Sequence, residues 1–501
     1  MFFAWVSVGL FLLLNIGLCI FQVFNKLMNP DEIQHIHIGW LVAHGDILYR
    51  DFWEHHGPIY SLLNGAAIYL TDASPSLRIL FWSRLLSLIV TGGTMWLTWA
   101  IARRLSLSRL GALLAVAVFS SLLVVQTRGL EMRPDPMQSL FWVGGLYLLI
   151  CNQTVRSVKR AGFAGALFAL SILSNVKAGL GPFFVVVFYL SAHKFCGLSW
   201  SDVWRDIYGM AIGAIVAFIP FVLYFWINGA LFDFLYYNFL WNFELVYHWS
   251  IADQQFSDSP LKTKSVAARY FQSFLSKQLP FMLLSFLGAL FFLVRIARES
   301  VQTEKAHNLL FFIATVGVSL GWLLDLYTQY FLMFLPLWSV LVSFALIRIA
   351  ELLSVFGKQA GGALGVLVAL VAAAGMLWQS VGQASFREDE LLAEQKQFTE
   401  MFVNLTERDE PVGLIWSRCG GYMFNRHVGY YWIALSDVTG VIEEMTGEHP
   451  FGQGFIDELN ERQVRYVIGL ENWFTEGMSD EAMDYLRENF EYSKCLWTRK
   501  E

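Results

Sequence analysis

The chain alternates long apolar runs with short polar segments. The apolar runs are about 18 to 25 residues long, and a helix of that length, rising about 1.5 Å per residue, crosses the hydrocarbon core of a bilayer. The pattern predicts about eleven membrane-spanning helices, near residues 2–24, 79–101, 110–126, 137–151, 161–176, 180–196, 207–227, 279–296, 308–326, 330–349 and 360–378.

Composition supports a membrane protein. Hydrophobic residues make up 56% of the 501 residues and charged residues only 15%, against about 45–50% and 25% in soluble domains. This surplus of apolar residues excludes an ordinary soluble domain, and we expect membrane lipids as partners.

Basic residues indicate the orientation of the spans. If the N-terminus is cytoplasmic, lysine and arginine flank all five short inside loops, as the positive-inside rule requires. The outside then receives residues 25–78, 127–136 and 228–278, and everything after about 380.

The composition changes near residue 380. Residues 387–501 carry 23 acidic and 11 basic side chains, and short apolar runs alternate there with amphipathic stretches. The pattern predicts a membrane domain over 1–380 and a small soluble α/β domain over 381–501. Cys419 and Cys495 both lie in that second domain, either as a disulfide or as free thiols.

The first outside segment begins with a helix-start signal. Asn29 suits an N-cap, Pro30 the first helical position, and Asp31 and Glu32 the first turn. An apolar stripe predicts an amphipathic helix on the outer membrane surface, ending at Gly45. The two carboxylates either only favour the helix dipole or take part in chemistry.

Two further polar clusters stand in outside segments. Residues 49–58 contain the adjacent histidines His55 and His56, and Pro58 opens a second surface helix through about Leu70. The histidines could hold a metal, but no third ligand stands at zinc-like spacing, and contacts to phosphate or hydroxyl groups suit them better. The other cluster, in residues 128–136, comprises Arg128, Glu131, Arg133 and Asp135. It is typical of an anion site, although Asp135 could simply cap the next helix.

Three isolated polar residues lie at the same predicted face. Lys177 stands in a short link between two spans, and Gln329 and Tyr330 stand at the start of another. Each is either an anchor at the membrane interface or part of a substrate site.

These motifs together resemble a known family. The sequence Asn29-Pro30-Asp31-Glu32, the later His56-Gly57-Pro58, Arg133-Pro134-Asp135, the Lys177 link and Tyr327-Thr328-Gln329-Tyr330 are similar to those of GT-C glycosyltransferases. Within that group, the motifs resemble those of the bacterial relatives of protein O-mannosyltransferases and aminoarabinose-lipid A transferases. The resemblance covers most of residues 1–350. This chain departs from the family at one point. Relatives often carry a lysine shortly before the proline of the first outside loop, whereas this chain has His55-His56-Gly57 before Pro58.

The resemblance implies transfer of a sugar, with inversion, from a polyprenyl-phosphate donor to a lipid, glycan or protein hydroxyl. Asp31 would be the general base, and Glu32 and Asp135 would position hydroxyls or cations. Arg133, Lys177 and His56 would stabilise the leaving phosphate, and we expect His55, Arg128, Gln329 and Tyr330 to contact substrate. No cofactor is required, although a divalent metal is compatible with the family. We expect no nucleic acid partner and a bacterial inner membrane location, with the C-terminal domain periplasmic or extracellular.

Two alternatives remain from the sequence. A secondary transporter or flippase-like protein would fit the number of spans, but it should place ionisable groups at the membrane midplane. A non-catalytic scaffold would not explain why acids, bases and turn residues concentrate on one side.

Overall fold

A computed structural model describes most of the chain. It covers residues 2–71, 78–241, 244, 262–320, 328–353, 389–407, 410–414, 420–432, 436–469, 478–493 and 495–500. The predicted span at 360–378 and Cys419 lie outside these residues. By internal packing the chain divides into two compact units. The helical unit comprises Met1–Phe24, Arg84–Phe221 and Val266–Ser385, and the mixed unit comprises Asn25–Ser83, Val222–Ser265 and Phe386–Glu501.

Most of the fold is α-helical. The helices up to residue 353 are α1 (Phe2–Asn25), α2 (Pro30–Ala43), α3 (Pro58–Leu70), α4 (Arg78–Arg104), α5 (Arg109–Ser121), α6 (Leu123–Thr127), α7 (Pro134–Thr154), α8 (Val158–Ser174), α9 (Leu180–Cys196), α10 (Trp200–Ile227), α11 (Leu231–Leu235), α12 (Lys262–Arg298), α13 (Gln302–Leu320) and α14 (Leu335–Leu353).

Several helices suit a bilayer. Six helical segments of the described residues are long and apolar enough to cross a membrane. The pair formed by α5 and the segment after it, bent by 68°, is either a broken seventh span or a re-entrant loop. The outward faces of these segments carry exposed leucine, isoleucine, phenylalanine and tryptophan, which is stable only in contact with lipid. The protein is therefore an integral membrane protein, and the count of about eleven spans stays a prediction.

Glycines allow two helices of the helical unit to approach closely. A β-carbon at Gly165 of α8 would lie 1.9 Å from the Met210 carbonyl oxygen of α10, and one at Gly213 would lie 1.8 Å from the Gly162 oxygen. Small residues of this kind let membrane helices pack backbone to backbone, where dispersion forces replace the missing hydrophobic effect. The α8–α10 contact thus depends on residues without side chains.

The mixed unit contains the predicted α/β part. Its C-terminal helices are α15 (Asp389–Leu405), α16 (Ser436–Thr446), α17 (Gln453–Glu461) and α18 (Asp480–Asn489), and its strands are β1 (Gly413–Leu414), β2 (Tyr466–Ile468), β3 (Phe490–Ser493) and β4 (Leu496–Arg499). The strand order is β1-β2-β4-β3, with β1 parallel to β2 and the other pairs antiparallel. Cys495 is disulfide-bonded.

The same unit also contains Asn25–Ser83, the first segment that the sequence predicts to lie outside. Helices α2 and α3 pack together with Gly39 directly against Asn64, whose side chain donates to the His35 carbonyl oxygen at 3.3 Å. Residues 25–83 therefore group with the C-terminal part and not with the helical unit. The predicted boundary near 380 falls outside the described residues and stays a prediction.

Candidate active site

Helix α2 begins where the sequence predicts. The Asn29 side chain accepts a hydrogen bond from the Asp31 backbone N–H at 3.0 Å, and Pro30 takes the first helical position. Asn29 is thus the cap, and the Asp31 carboxylate is not the capping group. Asp31 is half-buried, whereas Glu32 is completely buried, so the Glu32 carboxylate does not reach solvent.

The polar side of α2 faces protein as well as its apolar side. His35 and His37 are both buried, and Gly45 takes a left-handed φ of 94° just after the helix ends. The predicted helix is confirmed. The burial of its polar residues was not predicted, because an apolar stripe alone says nothing about what covers the opposite face.

A buried carboxylate organises the loop that precedes α3. Glu54 Oε1 accepts hydrogen bonds from the backbone N–H groups of His55 and His56, at 2.9 and 2.7 Å, and from His56 Nδ1 at 2.6 Å. The His35 and His56 ring centroids lie 4.9 Å apart. His35, Glu54 and His56 each offer one ligand atom, and these atoms all lie within 4.8 Å of one another.

The charge state of Glu54 follows from these neighbours. Burial by itself raises the pKa of Glu54, but the positive charges of His56, His55 and His35, with the hydrogen bond from His56, outweigh that effect and bring the pKa to about 2. Glu54 is therefore an ionised carboxylate at neutral pH, surrounded by histidines.

The loop backbone is held by the C-terminal part of the same unit. The Trp53 N–H donates to the Tyr430 carbonyl oxygen at 3.0 Å, and Trp432 Nε1 donates to the Trp53 carbonyl oxygen at 3.1 Å. The Tyr430 hydroxyl donates to the Tyr49 carbonyl oxygen. Tyr49 has a left-handed φ of 69°, which is uncommon for an aromatic residue and persists only where surrounding contacts impose it. Its hydroxyl in turn donates to the His56 carbonyl oxygen at 2.8 Å.

A pair of buried histidines links the same two segments. His37 Nε2 and His427 Nδ1 lie 2.8 Å apart, so one ring nitrogen donates a hydrogen bond to the other. Burial lowers the pKa of His37 to about 3, and burial together with the His37 and Arg462 charges lowers the pKa of His427. The pair is neutral at physiological pH.

The arginines of the second outside segment are paired with carboxylates inside the helical unit. Arg128 Nη1 lies 2.9 Å from Glu131, and Arg133 lies 3.1 Å from Asp135 and 3.5 Å from Glu131. Arg133 and Asp135 are both buried. Because two arginines face two carboxylates, the cluster has no net charge, and its positive potential toward an anion is smaller than the sequence suggests.

The helical unit also joins two of the isolated polar residues. Lys177 lies in a 3-10 turn, Val176–Gly179, and its Nζ is 3.7 Å from the centroid of the Tyr330 ring. Gln329 lies beside Tyr330 in the turn Thr328–Met333. A cation over an aromatic face is attracted by the ring quadrupole, and the ring itself carries no negative charge.

The structure thus gathers the predicted residues into local groups. Within the mixed unit these groups are Asp31 with Glu32, and His55 with His56; within the helical unit they are Arg128 with Arg133 and Asp135, and Lys177 with Gln329 and Tyr330. Sequence reasoning missed Glu54, His37, His427 and Trp432. Glu54 had a signal, since it stands between a tryptophan and two histidines. No local signal pointed to His427 or Trp432.

Comparison with known proteins places this fold. Residues 55–224, about a third of the chain, match the family model described as dolichyl-phosphate-mannose-protein mannosyltransferase. ArnT from Cupriavidus metallidurans, solved bound to undecaprenyl phosphate, aligns with a TM-score of 0.60 at 12% identity over 98% of this chain and 97% of its own. The chain has the GT-C fold.

Archaeal proteins share that fold. The Archaeoglobus fulgidus oligosaccharyltransferase in complex with zinc and sulfate aligns with a TM-score of 0.58 at 14% identity, over 96% of this chain and 71% of its own. AglB from the same organism, in complex with an inhibitory peptide and a dolichol-phosphate, gives 0.52 at 12% identity, over 93% and 69%. No curated protein matches the chain in sequence. The expected resemblance to GT-C glycosyltransferases, drawn from motifs such as Asp31-Glu32, is confirmed.

Proposed function

We propose that this GT-C protein is a glycosyltransferase that moves a sugar, with inversion, from a polyprenyl-phosphate donor to a hydroxyl acceptor. Transfer would take place at the outer face of the membrane, in a bacterial inner membrane. The observation that carries the proposal is the agreement between the mannosyltransferase match at residues 55–224 and the alignment over nearly the whole length of ArnT. The same observation favours a transferase over a transporter.

The physical chemistry of the donor supports an interfacial site. Its prenyl tail is stable only in the bilayer, whereas its sugar phosphate is stable only in contact with water or polar groups. Both requirements are met at the ends of membrane helices, where the sequence predicts that the acids, bases and cations of the candidate site lie.

Asp31 is our candidate for the general base. Its carboxylate lies in the first turn of α2 and is half-buried. In the proposed step Asp31 takes the proton of the acceptor hydroxyl, the acceptor oxygen bonds to the anomeric carbon, and the bond from that carbon to the phosphate oxygen breaks. The configuration at the anomeric carbon inverts, because attack and departure occur on opposite faces.

The leaving phosphate gains negative charge and needs a cation. Lys177 is a candidate for this role, because its ammonium group is a cation and lies at the face of the Tyr330 ring. The Arg133 guanidinium shares its charge with Glu131 and Asp135, so we assign it chiefly to holding the 128–135 segment in shape. His56, Arg128 and Gln329 remain candidates for contacts to phosphate or sugar.

The test is a transfer assay with the full-length protein in liposomes. Purified protein is incubated with a panel of radiolabelled polyprenyl-phosphate sugars and membrane-lipid or glycan acceptors. Asp31→Asn keeps the size of the side chain but cannot accept a proton. We expect the variant to lose transfer by about 100- to 10,000-fold, the usual contribution of general base catalysis, while still binding donor.

A matched control is available in the C-terminal part. Asp480 also lies in the first turn of a helix, α18, and is exposed. Asp480→Asn should transfer at the wild-type rate. Wild-type transfer by Asp31→Asn would refute the assignment of the base, and absence of transfer by the wild type with every donor of the panel would refute the proposed function.

A further inference from the structure

We propose that His35, Glu54 and His56 form a binding site for a divalent transition metal ion, with zinc the ion that fits best. The site goes beyond the proposed glycosyl transfer, which needs no metal ion, although His56 is also a candidate contact to the donor. All three residues belong to the mixed unit, His35 on α2 and the other two in the loop before α3.

The three side chains are close enough to share one ion. Their ligand atoms lie within 4.8 Å of one another. Around tetrahedral zinc, with bonds of about 2.0–2.1 Å, ligand atoms stand about 3.3 Å apart. The separations in the cluster therefore exceed this spacing by about 1.5 Å at most, a difference that changes in the side-chain torsion angles would close.

Glu54 offers an oxygen that the protein does not use. Its Oε1 accepts three hydrogen bonds, but Oε2 is buried and has no hydrogen-bond partner in the described part of the chain. A buried carboxylate oxygen left in this way loses its hydration without compensation. A metal ion would supply the missing partner.

His56 already directs a ring nitrogen at Glu54, with Nδ1 2.6 Å from Oε1. An ion bound by both side chains would displace the proton on Nδ1, which is released to solvent, and the neutral ring would give its Nδ1 lone pair to the ion. The His56 side chain keeps 18% of its surface exposed, so an ion has a path to the site.

The loop that carries two of the ligands is already held in position. Trp53, immediately before Glu54, is bonded through its N–H to Tyr430 and through its carbonyl oxygen to Trp432. The His56 carbonyl oxygen is bonded to the Tyr49 hydroxyl. Binding an ion therefore costs little ordering of the backbone, as is typical of sites that hold metals tightly.

The donor set selects the class of ion. Two imidazoles and one carboxylate suit zinc and the neighbouring first-row ions, whereas calcium and magnesium prefer sites made of oxygen alone. Three protein ligands leave a coordination position for water or another small ligand.

The competing interpretation is that Glu54 and His56 are only an ion pair that shapes the turn before α3. The two interpretations differ in whether zinc binds. Full-length protein in detergent is stripped with a chelator, and zinc binding is measured by calorimetry and by metal analysis after dialysis. The variants are Glu54→Gln, His35→Asn and His56→Asn, with His449→Asn as a control in the same unit but outside the cluster.

We expect one zinc ion per wild-type and His449→Asn chain, and no binding of magnesium at the same concentration. Each of the three cluster variants should bind zinc at least about 100-fold more weakly, beyond the 10- to 100-fold loss seen when only a group supporting a ligand is removed. Absence of zinc binding by the wild type, equal binding by the cluster variants, or preference for magnesium would overturn the proposal.

A measurement on the wild type alone covers the case in which the variants do not fold. Cobalt replaces zinc in stripped protein, and four- or five-coordinate cobalt bound by nitrogen and oxygen absorbs visible light far more strongly than the hexahydrated ion. That strong band is expected here, and the weak spectrum of the hydrated ion would refute the site. None of these measurements involves sugar transfer, so their failure is distinguishable from failure of the proposed function.

Discussion

The hydrogen bond from Trp432 Nε1 to the Trp53 carbonyl oxygen provides the sharpest test of how residues 49–56 are held in position. Trp432→Phe removes the indole N–H but keeps an aromatic ring in the same buried position, against His427 and His37 at centroid distances of 4.7 and 4.8 Å. The Trp53 oxygen then loses the partner it has at 3.1 Å.

The magnitude follows from burial. A buried polar group left without its partner costs about 1–3 kcal/mol. If the lost hydrogen bond destabilises only the closed form of residues 49–56, the free energy needed to open this segment decreases by the same amount. Since about 1.36 kcal/mol corresponds to a factor of ten, exchange of the Trp53 amide hydrogen should become roughly 5 to 160 times faster.

Hydrogen–deuterium exchange of the full-length protein measures this directly. The Trp53 amide is a suitable reporter because it is bonded to the Tyr430 carbonyl oxygen. Trp142→Phe is the matched control, since Trp142 is also fully buried and its Nε1 has no hydrogen-bond partner among the described residues. Two results would refute the reasoning. One is a Trp53 exchange rate in Trp432→Phe that lies within twofold of the wild-type rate, and the other is an equal acceleration of that exchange in Trp142→Phe.

Two other features give predictions of stability. Burial lowers the pKa of His427 below its ordinary 6.5, so His427 takes up a proton at a higher pH in the unfolded chain than in the folded chain. The free energy of unfolding is therefore full above about pH 6.5 and decreases as the pH drops below it. The unfolding temperature should therefore decrease from pH 7 to pH 5, with a smaller decrease in His427→Gln, and equal pH dependence in both proteins would count against the neutral pair. Gly213→Ala should destabilise the α8–α10 contact by about 1–3 kcal/mol or more, because the added β-carbon would lie 1.8 Å from the Gly162 oxygen. Gly92→Ala, where nothing lies within 4 Å, is the control, and an equal loss of thermal stability in both variants would contradict the close approach.

Local signals were sufficient to predict the helices of the first outside segment. Asn29-Pro30 and Gly57-Pro58 act within a few residues of themselves, so α2 and α3 begin at the predicted positions. Their effect does not depend on any distant part of the chain, which is why the sequence alone identified them.

Contacts between distant polar residues could not be predicted in the same way. His37 and His427 are 390 positions apart, and no periodic pattern connects single histidines over such a separation. The neutralisation of Arg133 by Glu131 and Asp135 was also missed, because a sequence shows which charges are near one another but not how their side chains turn. The sequence therefore names single candidate residues, whose roles stay predictions, and it does not show how their side chains pair.

The hydrogen bond between Trp53 and Trp432 has a consequence for biosynthesis. The two residues are 379 positions apart, and a ribosome makes the first long before the second, at about 5–20 residues per second. During that interval the loop has neither of its two backbone anchors, and Tyr49 has no contact from Tyr430 to hold its unusual backbone conformation. The segment that carries Glu54 and His56 thus reaches its final shape only after residue 432 has left the ribosome. A nascent or truncated chain that ends before residue 432 contains those side chains without their arrangement.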